Sequence, residues 1–183
     1  MSAGGELIRI VDAAMAEAVR RSGPWLACRK GCCECCIGPF AITPLDAERL
    51  REGLAALETA DPDRALRVRQ RARDSVARLR REFPDDPVAT VLGVDEAAAD
   101  EACPALDPGS GTCDLYEWRP LTCRTFGPAV SFGGDALGVC ELCYVGATDE
   151  QIAACRVEVE LGDRDAGEGE TIVAWALACD GMT

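Results

Sequence analysis

The stretch that decides the fold is Cys28-Arg29-Lys30-Gly31-Cys32-Cys33-Glu34-Cys35-Cys36. It places five cysteines within nine residues, in a chain of 183 residues that holds twelve cysteines and no histidine. Thiolate sulfur is the ligand that zinc, copper(I) and iron–sulfur clusters prefer. Because the chain offers no imidazole, a soft-metal site in it has to be built almost wholly from sulfur.

Cysteine-rich chains are mostly either disulfide scaffolds or metal-binding proteins. Disulfide scaffolds are typically short, secreted and loop-rich, whereas this sequence has long helix-like stretches and 48% hydrophobic residues, enough for the core of one domain. We therefore expect one metal-binding domain over residues 1–183. Its motif region covers about residues 25–146, with helical flanks at 5–21 and 148–180.

The composition also limits location and partners. The first ten residues lack the apolar run of a signal peptide, and no stretch of the sequence is apolar enough for a membrane span. We therefore expect a cytoplasmic protein without membrane contact. The formal net charge of −13 disfavours general nucleic-acid binding, because that binding needs cations to neutralise phosphates.

Outside the cysteine-rich segments the pattern is helical. Apolar periodicity, N-capping residues and prolines at first helical positions predict five helices, which run from Glu6 to Arg21, Pro44 to about Glu58, Pro62 to before Pro84, Thr148 to about Leu161, and Glu170 to Cys179. Residues 103–146 have little periodicity and are expected to be irregular structure held by metal. The predicted fold class is therefore mainly α, a small helical domain with an irregular cysteine-rich core and little or no β.

The third predicted helix, within residues 62–82, is rich in arginine. A basic helix is a potential surface for a protein partner. The alternative is a solvated face whose arginines pair with acids, and this chain has 32 acidic residues. Arginines paired with acids would count against the partner surface.

Cysteine spacings identify the ligand candidates. Separations of two to four residues let one chain segment wrap a single ion, and Cys28/Cys32, Cys32/Cys35 and Cys140/Cys143 satisfy this condition. A helical stripe of small buried side chains is the alternative, but the run from Cys28 to Cys36 contains no leucine, valine or alanine. Cys155 and Cys179 each lie alone on a predicted helix and are assigned to the core.

Positive charge accompanies the cysteines. Arg29 and Lys30 lie inside the first run, and Arg119 and Arg124 flank Cys123. Nearby cations lower thiol pKa values and favour the ligating thiolate. We expect Arg119 and Arg124 to support the cofactor, with solvated surface cations as the alternative for all four residues.

Three motifs occur in order along the chain: Cys28-x3-Cys32-x2-Cys35-Cys36, Cys103-Pro104-x-Leu106, and Cys113-x-x-Tyr116-Glu117-x-Arg119-Pro120-x-x-Cys123-Arg124. Together they resemble the YkgJ-type cysteine-cluster proteins, a CxxCxxCC-type family described as zinc- or iron-chelating. The resemblance implies metal ligation by Cys28, Cys32, Cys35, Cys36, Cys103, Cys113 and Cys123, with Cys140 or Cys143 completing eight. Cys33 departs from the family pattern.

The sequence therefore predicts a metal-chelating protein with one or two sites for an iron–sulfur cluster or zinc, and iron–sulfur is slightly preferred. Two alternatives stay open. One is a metal-cluster enzyme for methyl transfer or redox chemistry, since the flagellin lysine N-methylases carry a similar cluster; the sequence identifies no catalytic residue. The other is a zinc-stapled interaction module that uses the arginine-rich helix.

Overall fold

The computed structural model describes residues 3–94, 96–160 and 171–178, which form seven α-helices and five short strands. The helices are α1 Ala3–Ser22, α2 Pro44–Ala60, α3 Pro62–Glu82, α4 Pro87–Gly93, α5 Leu121–Thr125, α6 Asp149–Cys155 and α7 Val173–Ala178. The strands are β1 Leu106–Asp107, β2 Thr112–Cys113, β3 Val130–Phe132, β4 Asp135–Ala136 and β5 Val157–Val159. The prediction of a mainly α fold is confirmed.

Side-chain caps begin the helices where the sequence placed them. The Thr43 hydroxyl accepts a hydrogen bond from the Asp46 backbone N–H, and the Asp46 carboxylate accepts one from Thr43 N–H, so α2 opens with a reciprocal capping box. Thr148 and Gln151 form a second box at the start of α6. Such caps satisfy backbone donors that have no partner inside the helix.

The prediction for the fourth helix was wrong in its length. Helix α6 ends at Cys155, and the chain continues as strand β5, which pairs in parallel with β3. Val157 and Val159 are buried while Glu158 between them is exposed, a two-residue alternation that suits a strand rather than a helix. The predicted helix end at Leu161, and Glu170 and Cys179 of the last predicted helix, lie outside the described residues.

The described residues form two compact units. The first unit combines residues within Met1–Arg29 with residues within Leu121–Ala166. In it, α1 packs against α5, α6 and β5, and the three-stranded sheet has the order β4-β3-β5. Its main core is formed by buried side chains of α1, β3 and β5: Val11, Met15, Ala18, Val130, Val157 and Val159.

The second unit combines residues within Lys30–Pro120 with residues within Gly167–Thr183. Helices α2, α3 and α7 pack on one another around a core that includes Ile42, Leu50, Val68, Leu115 and Leu177. Strands β1 and β2 form a short antiparallel hairpin. Helix α3 buries alanine, valine, leucine and one serine on one face and carries its arginines outside that face.

The expected single domain over residues 1–183 remains a prediction. Among the described residues, every helix is too short or too polar to cross a membrane.

Candidate metal centre

The predicted ligands fall into two groups, one in each unit. The first unit holds Cys28, Cys123, Cys140 and Cys143, and the second holds Cys32, Cys35, Cys36, Cys103 and Cys113. The boundary after Arg29 therefore divides the first cysteine run between the two groups. Spacing alone did not predict this division.

One thiol pair of the first group joins residues that are 115 positions apart. Cys28 Sγ lies 3.8 Å from Cys143 Sγ. Cys28 is exposed and Cys143 is buried. The Cys143 N–H donates to the Cys140 carbonyl over 2.8 Å, so a tight turn brings Cys140 to the same loop.

Tyr144 holds this loop in place. Its backbone N–H donates to the Trp25 carbonyl, and its hydroxyl accepts a hydrogen bond from Ala129 N–H over 2.9 Å. The hydroxyl also bonds to Ser22 Oγ, which itself donates to a carbonyl of α1. Tyr144 is buried, with a φ of +57°. Sequence reasoning missed this residue, because its hydroxyl partners are distant in sequence.

Cys123 lies on the short helix α5, which its neighbour Arg124 ties to α1. The Arg124 guanidinium donates to both carboxylate oxygens of Asp12, over 2.7 and 2.9 Å, and its side chain is only 5% exposed. Both hydrogen bonds come from Nη1 of Arg124, and this charge-assisted pair ties the helix that carries Cys123 to α1. The predicted role of Arg124 in supporting a cofactor remains a prediction.

Backbone pairing assembles the second group. The Cys103 N–H donates to the Cys36 carbonyl over 2.7 Å, and an isolated bridge joins Ile37 to Ala102 beside it. The Leu106 N–H donates to the Cys103 carbonyl, and Leu106 is opposite Cys113 in the β1–β2 hairpin. Segments that are far apart in sequence are therefore joined next to three of the predicted ligands.

The thiols of the second group perturb one another. A hydrogen bond from Cys36 lowers the pKa of Cys35 to about 6. The pKa of Cys36 is raised, first by that hydrogen bond, then by burial and by the charges of Cys35, Cys103 and Cys113. Cys36 therefore lies within electrostatic reach of the thiols of Cys35, Cys103 and Cys113.

Burial and charge set the remaining thiol pKa values of this group. Burial raises the pKa of Cys103 to about 12 and also raises that of Cys113. The positive charge of Arg119 lowers the pKa values of Cys35 and Cys113, against the effect of burial. The Arg119 guanidinium lies 3.8 Å from the centre of the Tyr116 ring. A bound cation would favour the thiolates that burial disfavours.

The arginine-rich helix α3 supports the second group. Arg64 and Arg71 both donate to the carboxylate of Asp114, which follows Cys113 and whose side chain is 3% exposed. Arg71 also donates to the Pro104 carbonyl, next to Cys103. Two further arginines of α3 pair with acids outside the helix, Arg69 with Glu58 and Arg78 with Glu101. This pairing counts against the helix as a surface for a partner.

The cysteine thiols of each unit suit a soft metal in ligand type and in number. Among the described residues, no group of three or more cysteine, aspartate or glutamate side chains is placed to hold a metal ion. Rotation about χ1 changes the position of a cysteine sulfur. Each unit supplies at least four thiols, which is the ligand number of structural zinc and iron–sulfur sites.

Cys32 and Cys33 are partly buried in the second unit. Ligation by Cys32 rests on the sequence resemblance and remains a prediction. Cys155 is buried on α6, and its thiol donates to the Arg21 carbonyl, so its assignment to the core is confirmed. Cys179 lies outside the described residues.

Comparison with known families identifies the same region of the chain. A family model named CxxCxxCC and described as "Putative zinc- or iron-chelating domain" matches residues 27–157. The match covers more than half of the chain and spans every predicted ligand from Cys28 to Cys143. No curated protein and no solved structure matches the chain.

Proposed function

Because the chain belongs to the CxxCxxCC family, we propose that it is a metal-chelating protein with two four-thiolate sites. The first site consists of Cys28, Cys123, Cys140 and Cys143. The second site consists of Cys35, Cys36, Cys103 and Cys113. The observation that carries the proposal is the approach of Cys28 Sγ to within 3.8 Å of Cys143 Sγ.

This distance matches what two ligands of one ion require. A zinc–sulfur bond of about 2.3 Å gives a tetrahedron whose sulfur–sulfur edge is about 3.8 Å. In a [4Fe–4S] cluster each cysteine binds a different iron, so the cysteine sulfurs lie farther apart. The pair therefore supports ligation of one metal ion by both thiols, as in a single zinc or iron site or at one iron of a [2Fe–2S] cluster, and disfavours a [4Fe–4S] cluster. The iron–sulfur cluster that the sequence favoured becomes the alternative.

The second site is supported by the effect of Cys35, Cys103 and Cys113 on the pKa of Cys36 and by the backbone hydrogen bond that joins Cys103 to Cys36. Four thiolates around a dication leave a net charge of −2, which is costly to bury unless it is paired or hydrogen-bonded. Arg119 supplies a positive charge within reach of Cys35 and Cys113. Arg64 and Arg71 neutralise Asp114 beside Cys113, so that carboxylate adds no uncompensated charge.

Metal and acid-labile sulfide analysis of anaerobically purified protein tests the proposal. The wild type should hold two ions of zinc or iron per chain, and sulfide would identify a cluster instead. Cys123→Ser and Cys113→Ser should each lose about one of the two ions, and the double variant both. Cys155→Ser is the matched control, since this buried thiol belongs to neither site. Full metal content in both single variants would contradict the proposal.

A further inference from the structure

Gly127 lies directly against the Cys28 thiol in the first unit. Its φ is +112°, in the region that side chains rarely adopt. A Cβ added at this position would lie 2.7 Å from Cys28 Sγ, well inside the roughly 3.5–4 Å at which such atoms are in contact. The thiol therefore occupies space that is open only because residue 127 has no side chain.

We propose that Gly127 is a positioning residue for the first metal site. Its missing side chain leaves a notch that holds Cys28 Sγ at ligand distance from Cys143 Sγ. The two thiols of the pair are held differently. Cys143 is buried, and its neighbour Tyr144 is fixed by three hydrogen bonds, whereas Cys28 is exposed. The notch therefore acts on the exposed thiol of the pair. The inference rests on the proposed metal-chelating function.

A methyl group at residue 127 should affect metal binding more than folding. The atom it would meet is the end of a short side chain, so rotation of Cys28 about χ1 relieves the collision. That rotation moves Sγ away from Cys143 and breaks the pair.

Gly134 provides a control for backbone strain. Its φ is +89°, and an added Cβ there would have no atom within 4 Å. It lies in the same unit, at the turn between β3 and β4. Gly134→Ala therefore also places a side chain at a positive φ but without touching Cys28, and a difference between the two variants reports on the notch.

Two measurements on the full-length wild type, Gly127→Ala and Gly134→Ala proteins test the inference. In competition with a chromophoric chelator, Gly127→Ala should bind one of the two zinc ions about 10–100-fold more weakly, the usual effect of altering the support of a ligand. Gly134→Ala should match the wild type, and helicity by circular dichroism should be similar in all three.

The second measurement does not depend on metal. Dibromobimane joins two thiols only when they are close, and peptide mass mapping identifies which two. In protein treated with a chelator, the reagent should bridge Cys28 and Cys143 in the wild type and in Gly134→Ala, but not in Gly127→Ala. If this pattern appears and no protein binds metal, the notch is supported and the proposed function fails. Three cross-linking results would refute the positioning role of Gly127: no bridge in the wild type, equal loss of the bridge in both variants, or a bridge that persists in Gly127→Ala. An equal fall in zinc affinity in both variants would also refute it.

Discussion

Neighbouring cysteines in this chain differ in chemistry because of what surrounds each thiol. Cys35 and Cys36 are adjacent, yet the hydrogen bond between them lowers one pKa and raises the other. A hydrogen bond donated to a thiolate stabilises the charged acceptor and holds the proton on the donor. One of the two thiols is thus prepared as a thiolate before any metal arrives.

Cys35 should be the thiolate of this pair at neutral pH. In metal-free protein we expect its alkylation by iodoacetamide to be near its maximum at pH 7 and to fall as the pH drops through about 6, because only the thiolate reacts. Cys103, with a pKa of about 12, is the control and should react slowly across this range. Peptide mass spectrometry measures both rates, and similar rates for the two residues at pH 7 would refute the assignment.

The Tyr144 hydroxyl should contribute measurably to stability. Tyr144→Phe leaves the buried Ala129 N–H without its acceptor and removes the hydrogen bond to Ser22, so the free energy of unfolding should fall by about 1–3 kcal/mol. Urea denaturation of the metal-loaded protein measures the loss. The matched control is Tyr116→Phe, which alters the other tyrosine of the chain at an exposed position and should cost less. An equal loss in both variants would contradict this role for Tyr144.

Sequence reasoning proposed candidate ligands but not the residues that contact them. Close spacing, the absence of histidine and the family resemblance selected the cysteines, because ligand type, local separation and motif order are properties of the sequence itself. Tyr144 and Gly127 act on partners that lie far away in the chain. Nothing in the local pattern marks a glycine as the neighbour of a thiol 99 positions earlier.

At the scale of elements, prediction succeeded where local chemistry decides the structure. Asp61, Thr43 and Thr148 cap helices within a few residues of themselves, so their signals can be read directly. Strand β5 was missed because its stability comes from pairing with β3, about 27 residues earlier. The arginines of α3 were predicted to be paired or exposed, but their shared acceptor, Asp114, was not identified.

The ion pairs of Asp114 should hold the β1–β2 hairpin on α3. Asp114→Asn keeps the shape of the side chain but removes the charge that Arg64 and Arg71 share. We expect the free energy of unfolding to fall by about 1.5–3 kcal/mol, the range for a hydrogen bond to a charged group, and metal affinity at the second site to weaken. Denaturation and metal competition measure the two effects.

The control for this variant is Glu58→Gln, which breaks the more exposed pair with Arg69. A surface pair of this kind contributes about 0–1 kcal/mol, so Glu58→Gln should change stability little and leave metal affinity unchanged. Equal losses in Asp114→Asn and Glu58→Gln would show that the hairpin does not depend on the buried carboxylate.

At the scale of the whole molecule, the cysteine content predicted metal chelation and the apolar periodicity predicted the mainly α fold. Neither predicted how distant segments combine into the two units. Each unit joins described segments from distant parts of the chain, those within residues 1–29 with those within 121–166, and those within 30–120 with those within 167–183. Contacts of this kind depend on tertiary packing, for which periodicity and spacing carry no signal. The division of the predicted ligands, four in the first unit and five in the second, follows from that connectivity, so it became visible only in the structure.

Metal should stabilise the whole chain, because a ligand that binds only the folded state shifts the folding equilibrium toward it. A structural metal site contributes on the order of 10 kcal/mol. Loss of even about 3 kcal/mol would lower Tm by roughly 6–12 °C in a chain of this size. Thermal denaturation under reducing conditions, with and without a strong chelator, measures the change, and added zinc or iron should restore the original Tm. The same chelator saturated with zinc beforehand is the control. An unchanged Tm after metal analysis has confirmed removal of the ions would mean that the thiols bind metal without holding the fold.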